Sequence, residues 1–166
     1  MSVIIGIDPG SLRTGWGVID VRNAKYSCLG FGVIELMAEV TFAKRLAKLS
    51  KDLSRIIEEY QPKAMSVEKV FLGRNADSAF KLGHARGVAM AQAGVHHIYL
   101  AEYATRYVKK ILTGSGAATK EQVQFMIRQM LGVVTDKLDA TDALALAVCH
   151  GSNCEVREIF ARQKEV

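Results

Sequence analysis

The chain has 166 residues, enough for one domain with a sizeable core and little room for a second. Apolar residues at 49% and charged residues at 23% are those of a globular protein, and no apolar run nears the roughly 18 residues of a membrane span. Three cysteines (Cys28, Cys149, Cys154) without framework spacing argue against a disulfide scaffold, and with no basic-then-apolar leader the expected location is the reducing cytoplasm.

Val3 to Ile7 is a short, β-branched apolar run, the pattern of a strand buried on both faces. Asp8 ends it and Pro9-Gly10 follows as a turn signal, so the carboxylate is expected at the strand's end and not in a mobile loop. Such an acid is either a metal ligand or the cap of an Asx-type turn. Thr14 to Val21 and Tyr26 to Leu36 read as the next two strands, joined by the polar link Arg22-Asn23-Ala24-Lys25, which makes an antiparallel meander. Gly15, Gly17, Gly30 and Gly32 in these strands point to close backbone packing.

Thr41 to Tyr60 is the clearest helix, with Phe42, Leu46, Leu49, Leu53, Ile56, Ile57 and Tyr60 at helical spacing, and Pro62 stops it. Ala64 to Val70 is a fourth strand, reached through a helical crossover and therefore expected parallel to the first. Asn75 to Ala93 reads as a helix in which Ala79, Gly83, Gly87 and Ala91 form a smooth stripe, facing either the sheet or a second copy of the chain. His97 to Ala101 is a fifth strand and Tyr103 to Leu112 a short basic helix before the Gly114-Ser115-Gly116 break. Thr119-Lys120-Glu121-Gln122 is a capping box opening a helix to Leu131. The last helix runs from Leu138 to His150. A domain over 1–151 with a charged tail over 152–166, expected to fray, completes the reading. Cys149-His150 with Cys154 reads as an inert helix-end group, because a zinc site takes four ligands.

Three further acids break their patterns. Glu68 lies inside an apolar strand, where Glu is unfavoured, and faces Asp8 if strands one and four are neighbours. Asp139 and Asp142 stand three residues apart on one face near the start of the last helix, where the dipole tolerates negative charge. Singly, each has a structural explanation: a cap, a first-turn acid, a strand residue paired with a lysine. Jointly, four carboxylates in one sheet system repel and raise each other's pKa unless cations hold them. Hard divalent ions, Mg²⁺ above all, suit oxygen donors, and two of them about 4 Å apart serve in-line phosphodiester displacement. The formal charge of +5 is concentrated: Lys69 to Arg128 holds nine basic and three acidic residues. A basic half beside an acidic pocket suits a polyanion held by its phosphates.

The segments G-I-D-P-G-S-x-R-T-G-W-G-V-I, S-V-E-K-V-F, N-A-D-S-A-F-K-L-G-H-A-R-G, T-K-E-Q-V and D-A-T-D-A-L-A-L-A occur in the order found in the RuvC Holliday junction resolvases. The chain resembles that family from about Val3 to His150. The resemblance implies an α/β RNase H-like fold, a five-stranded mixed sheet with its first three strands antiparallel and helices on its faces. It implies a homodimer acting on four-way junction DNA, alongside a RuvA–RuvB branch-migration complex. Asp8, Glu68, Asp139 and Asp142 match the metal-binding catalytic acids, with two Mg²⁺ per subunit and Mn²⁺ as a substitute. Some relatives carry His where this chain has Asp139. Phe71 matches an aromatic that engages bases at the junction's centre, where stacking contributes roughly 1–3 kcal/mol. Lys109 and Lys120 match basic residues near the active site, with Lys110 adjacent to the first. Lys69, Arg74 and Lys110 are expected on DNA.

The expected function is therefore a Mg²⁺-dependent, structure-selective endonuclease with water as nucleophile and one cut per subunit. Two rivals belong to other classes. I-G-I-D-P-G also resembles the phosphate loop of the actin and sugar-kinase superfamily, whose members need two such domains. A non-cleaving RNase H-like binding protein keeps the first aspartate but lacks the S-V-E-K-V-F and D-A-T-D-A-L-A blocks together.

Overall fold

The computed structural model describes residues 2–69 and 76–163, with side chains through Cys154. The order of elements is β1 (Ser2–Asp8), β2 (Arg13–Arg22), β3 (Lys25–Glu35), α1 (Phe42–Tyr60), β4 (Ala64–Glu68), α2 (Ala76–Val95), β5 (Tyr99–Tyr103), α3 (Thr105–Thr113), α4 (Lys120–Leu131) and α5 (Leu138–Gln163). The strands form one sheet in the order β3-β2-β1-β4-β5. The pairs β1/β2 and β2/β3 are antiparallel, and β1/β4 and β4/β5 are parallel, as the meander and the helical crossover require. Asn23 and Ala24 close the first hairpin with φ of 49° and 60°. That two-residue turn matches the strands' twist but places an alanine in the left-handed region, at a cost of roughly 1–2 kcal/mol.

Period-two alternation sends the strands' side chains into two cores. Ile5, Ile7, Val18, Met65 and Val67 pack with Leu49, Leu53 and Ile57 of α1 and with Ala85, Ala89 and Ala93 of α2. Ile4, Ile19, Val21 and Ala64 pack on the other side with α5, α3 and α4. Glycines set how close α5 lies: a Cβ on Gly6 would fall 1.9 Å from the Ala143 carbonyl oxygen, and one on Gly15 1.9 Å from that of Asp139. The backbone of α5 thus rests directly on β1 and β2, which is the close packing that the strand glycines indicated.

Thr41 caps α1 by accepting from the Lys44 N–H, and Gln61 ends it at φ 47° just before Pro62. The capping box at Thr119 and Gln122 is formed in both directions. Several boundaries differ from expectation. β4 ends at Glu68; Val70 lies outside the described residues. α2 runs on to Val95, and His97 turns at φ 54°, so β5 starts at Tyr99 instead of His97 and takes in Tyr103, expected as a helix start. α5 does not stop at His150 but continues to Gln163. The alanine- and leucine-rich run ends at His150, yet the helix goes on, and Ser152 and Asn153 donate to the carbonyls of Val148 and Cys149 one turn back within it.

Candidate active site

The alternation that builds the cores also aims the acids. Ile5 and Ile7 face α1, so Asp8 faces α5; Met65 and Val67 do likewise, so Glu68 shares the face of Asp8. The β1/β4 ladder pairs Ile7 with Val67, which brings Asp8 and Glu68 next to each other at the two strand ends. Ser66, on the same face, donates to the Leu146 carbonyl at 2.9 Å and ties β4 to α5. The turn after Asp8 is closed by Thr14, whose hydroxyl donates to the Gly10 carbonyl at 3.2 Å and accepts from the Gly10 N–H at 3.3 Å. The work of an Asx cap is thereby done by another side chain, and the Asp8 carboxylate is directed at the α5 face.

Asp139 and Asp142 complete the group from the first turns of α5. The helix starts over Gly15, the residue that pairs with Asp8, so seating α5 on that glycine is what brings its acids to the strand ends. Asp8, Glu68, Thr105, Lys109, Lys120 and Asp142 line one cleft between the ends of β1 and β4, α3, α4 and α5. Asp139 stands beside this lining and acts on Asp8 electrostatically. Lys120 Nζ is 3.5 Å from Asp142 Oδ2. Lys109 lines the cleft while Lys110 is exposed on α3, which separates the two adjacent lysines. Lys69 follows Glu68 and is exposed. Phe71 and Arg74 lie outside the described residues.

Burial, followed by the charges of Asp142, Glu68 and Asp139, pushes the Asp8 carboxyl up from 3.8 to about 8, against the opposing pull of Lys120. Burial also raises Asp142, with Lys120 opposing. Among the described residues, no three His, Cys, Asp or Glu side chains converge as a ready-made cage. The fit to a metal rests on the chemistry of the donors. A half-buried carboxylate surrounded by three others is a poor place for a proton-free acid and a good one for a hard cation with oxygen ligands.

Some features of the site had no sequence signal that singled them out. Thr105 donates to Glu68 Oε1 at 2.5 Å. Arg86 of α2 donates through Nε to the Glu68 carbonyl at 3.2 Å and pairs with Glu102 of β5. The small-residue stripe of α2 turns away from the sheet: Ala85, Ala89 and Ala93 are buried, whereas Gly83 and Gly87 have open space where a Cβ would stand. Leu46 of α1 and the exposed Phe80 flank that stripe.

An acid-lined cleft at the strand ends of such a sheet defines a nuclease-like α/β domain, and comparison with known proteins names the family. The family model for crossover junction endodeoxyribonuclease RuvC matches residues 4–150. A RuvC from Bdellovibrio bacteriovorus is 45% identical over 161 residues, covering 96% of each chain, and one from Psychromonas ingrahamii is 42% identical, covering 93% of this chain and 90% of the relative. Thermus thermophilus RuvC in complex with a Holliday junction substrate superposes with a TM-score of 0.85 at 31% identity, covering 90% of this chain and 93% of that one. The chain belongs to the RuvC family and has its RNase H-like fold. The actin-like reading of the opening phrase falls away.

Proposed function

We propose that Asp8, Glu68, Asp139 and Asp142 hold two Mg²⁺ ions per subunit, with Mn²⁺ able to substitute, in an enzyme that cuts four-way DNA junctions. As a member of the RuvC family the protein is a metal-dependent endonuclease that resolves Holliday junctions in recombination and repair by paired, symmetric phosphodiester hydrolysis. The observation that carries the assignment is the convergence of Asp8, Glu68 and Asp142 in one cleft with Lys109 and Lys120, and the upward shift of the Asp8 carboxyl agrees with it. Bound to these acids, Mg²⁺ supplies an activated water and neutralises charge on the leaving oxygen.

The chain's own part is positioning. Strand pairing fixes Asp8 and Glu68 relative to each other, and the seat of α5 on Gly15 fixes Asp139 and Asp142 against them. Lys109 and Lys120 at the cleft suit a phosphate and the charge that develops on it. No residue of the chain needs to act as a covalent nucleophile. Lys69 and Lys110 extend the cationic surface for DNA. Arg74 is assigned to DNA with them, and Phe71, three residues after Glu68 in the sequence, to stacking on a base. Two copies joined through the α2 stripe would place one cut on each of two strands, and a RuvA–RuvB motor is the expected partner. A nuclease domain over 1–151 in the cytoplasm agrees with the composition, and among the described residues no helix is long and apolar enough to cross a membrane.

The test is cleavage of a labelled synthetic four-way junction by wild type and Asp8→Asn, with Mg²⁺ or EDTA. Paired nicks by wild type with Mg²⁺ alone, and binding without cutting by the variant, are expected. Cutting that survives Asp8→Asn would refute the site.

A further inference from the structure

We propose that Thr105 is a positioning residue that sets the orientation of the Glu68 carboxylate toward the metal; this rests on the role proposed above for Glu68. Strand pairing fixes the backbone of Glu68: it lies opposite Tyr103 in the β4/β5 ladder, and its carbonyl accepts from Arg86 Nε at 3.2 Å. A glutamate side chain keeps three torsions that no ladder controls. The contact that restrains them is the Thr105 hydroxyl, which donates to Oε1 at 2.5 Å, a length found for hydroxyls bonded to carboxylates.

The start of α3 is built in an unusual way for this purpose. Its N-cap position is Ala104, which makes no side-chain cap bond, and the hydroxyl stands one residue later. Ser, Thr, Asp and Asn at the cap ordinarily satisfy the first free N–H groups of a helix. Here the hydroxyl in the first turn is directed to a carboxylate on the neighbouring strand instead. Thr105 lines the same cleft as Asp8, Lys109, Lys120 and Asp142, so the bond is made inside the site. One oxygen of Glu68 is engaged and the remaining lone pairs stay open to a cation. Partners of this kind hold ligating carboxylates in place, and their removal lowers metal affinity or activity by about 10–100-fold.

Thr105→Val keeps the side chain's shape and deletes the hydroxyl, Thr105→Ser restores it, and Thr105→Ala carries the same test should the valine variant fail to fold. Two readouts are needed: Mn²⁺ binding to the full chain by calorimetry without DNA, and the Mg²⁺ concentration for half-maximal cleavage of a four-way junction. Thr105→Val is expected to weaken Mn²⁺ binding and raise the Mg²⁺ requirement, each about tenfold. Junction affinity in EDTA should stay unchanged, and Thr105→Ser should return both values to within about twofold of wild type. Unchanged metal binding and Mg²⁺ requirement in the valine or alanine variant would overturn the proposal. So would weaker junction binding with a normal metal response, which would make Thr105 a DNA contact. Asp8→Asn measured in parallel separates the two levels. If it abolishes metal binding while Thr105→Val changes nothing, only the role of Thr105 fails; if it too changes nothing, the site assignment itself fails.

Discussion

Replacing Asp8 by Asn should make the metal-free protein more stable at neutral and alkaline pH. In the folded chain the Asp8 carboxyl is raised from 3.8 to about 8, so the native state holds this proton more tightly than the unfolded one. The resulting stabilisation is fully present below about pH 4 and is lost as pH rises to about 8. At about 1.36 kcal/mol per pH unit, a rigid site would lose at most about 6 kcal/mol over that window. Water and counter-ions reach the open cleft, which reduces the expected loss to about 2–3 kcal/mol. For a chain of this size that corresponds to about 5–10 °C in Tm. The asparagine carries no charge to lose, so its stability should lack this part of the slope. The assay is thermal unfolding of both proteins in EDTA from pH 4.5 to 9. Their melting temperatures should converge at the acid end and separate by pH 8, with the variant higher. Adding Mg²⁺ at pH 8 should raise the wild type and leave the variant nearly unmoved, because only the wild type gains binding free energy. Parallel curves across the whole range would refute the claim that burial and carboxylate crowding govern this site.

Other perturbations test the scaffold and the rim. Gly15→Ala puts a Cβ against the Asp139 carbonyl, so the start of α5 must lift; a loss of about 1–3 kcal/mol in urea unfolding, accompanied by weaker metal binding, is expected. Lys120→Met should leave urea stability within about 0.5 kcal/mol, since the side chain is exposed. Because Lys120 opposes the upward shifts of Asp8 and Asp142, its loss should move the rising limb of the cleavage pH profile to higher pH. Gly87→Glu occupies open space on α2 and should leave the monomer folded by circular dichroism; if the proposed dimer forms through this stripe, sedimentation should show the variant as a monomer, with paired cutting lost. Arg86→Met removes the donor to the Glu68 carbonyl and leaves Glu102 without its cation. A stability loss of about 1–2 kcal/mol, smaller than for a fully buried pair because both side chains are partly exposed, and slower cleavage are expected, measured by denaturation and by single-turnover kinetics.

The sequence by itself determined the meander, the helical crossover and the four acids, because each is a local pattern. β-branched runs, helical periodicity, a capping box and carboxylates in positions that disfavour them all declare themselves over a few residues. Boundaries failed where the apolar pattern ended before the backbone bonding did. The apolar run of α5 stops at His150, but Ser152 and Asn153 bond back to the preceding turn and the helix runs to Gln163. Likewise the two possible uses of the α2 stripe were equivalent in the sequence, and only packing turned Ala85, Ala89 and Ala93 inward and left Gly83 and Gly87 open. The same holds within the site. Lys109 and Lys110 are neighbours in the chain, yet a helix points them in different directions and one of them lines the cleft. Thr105 is separated from Glu68 by a whole helix and strand, so their bond exists only once β5 has returned beside β4. Which residues are acidic is written in the chain; which groups hold, crowd and orient them is a property of distance, and distance is decided by the tertiary fold.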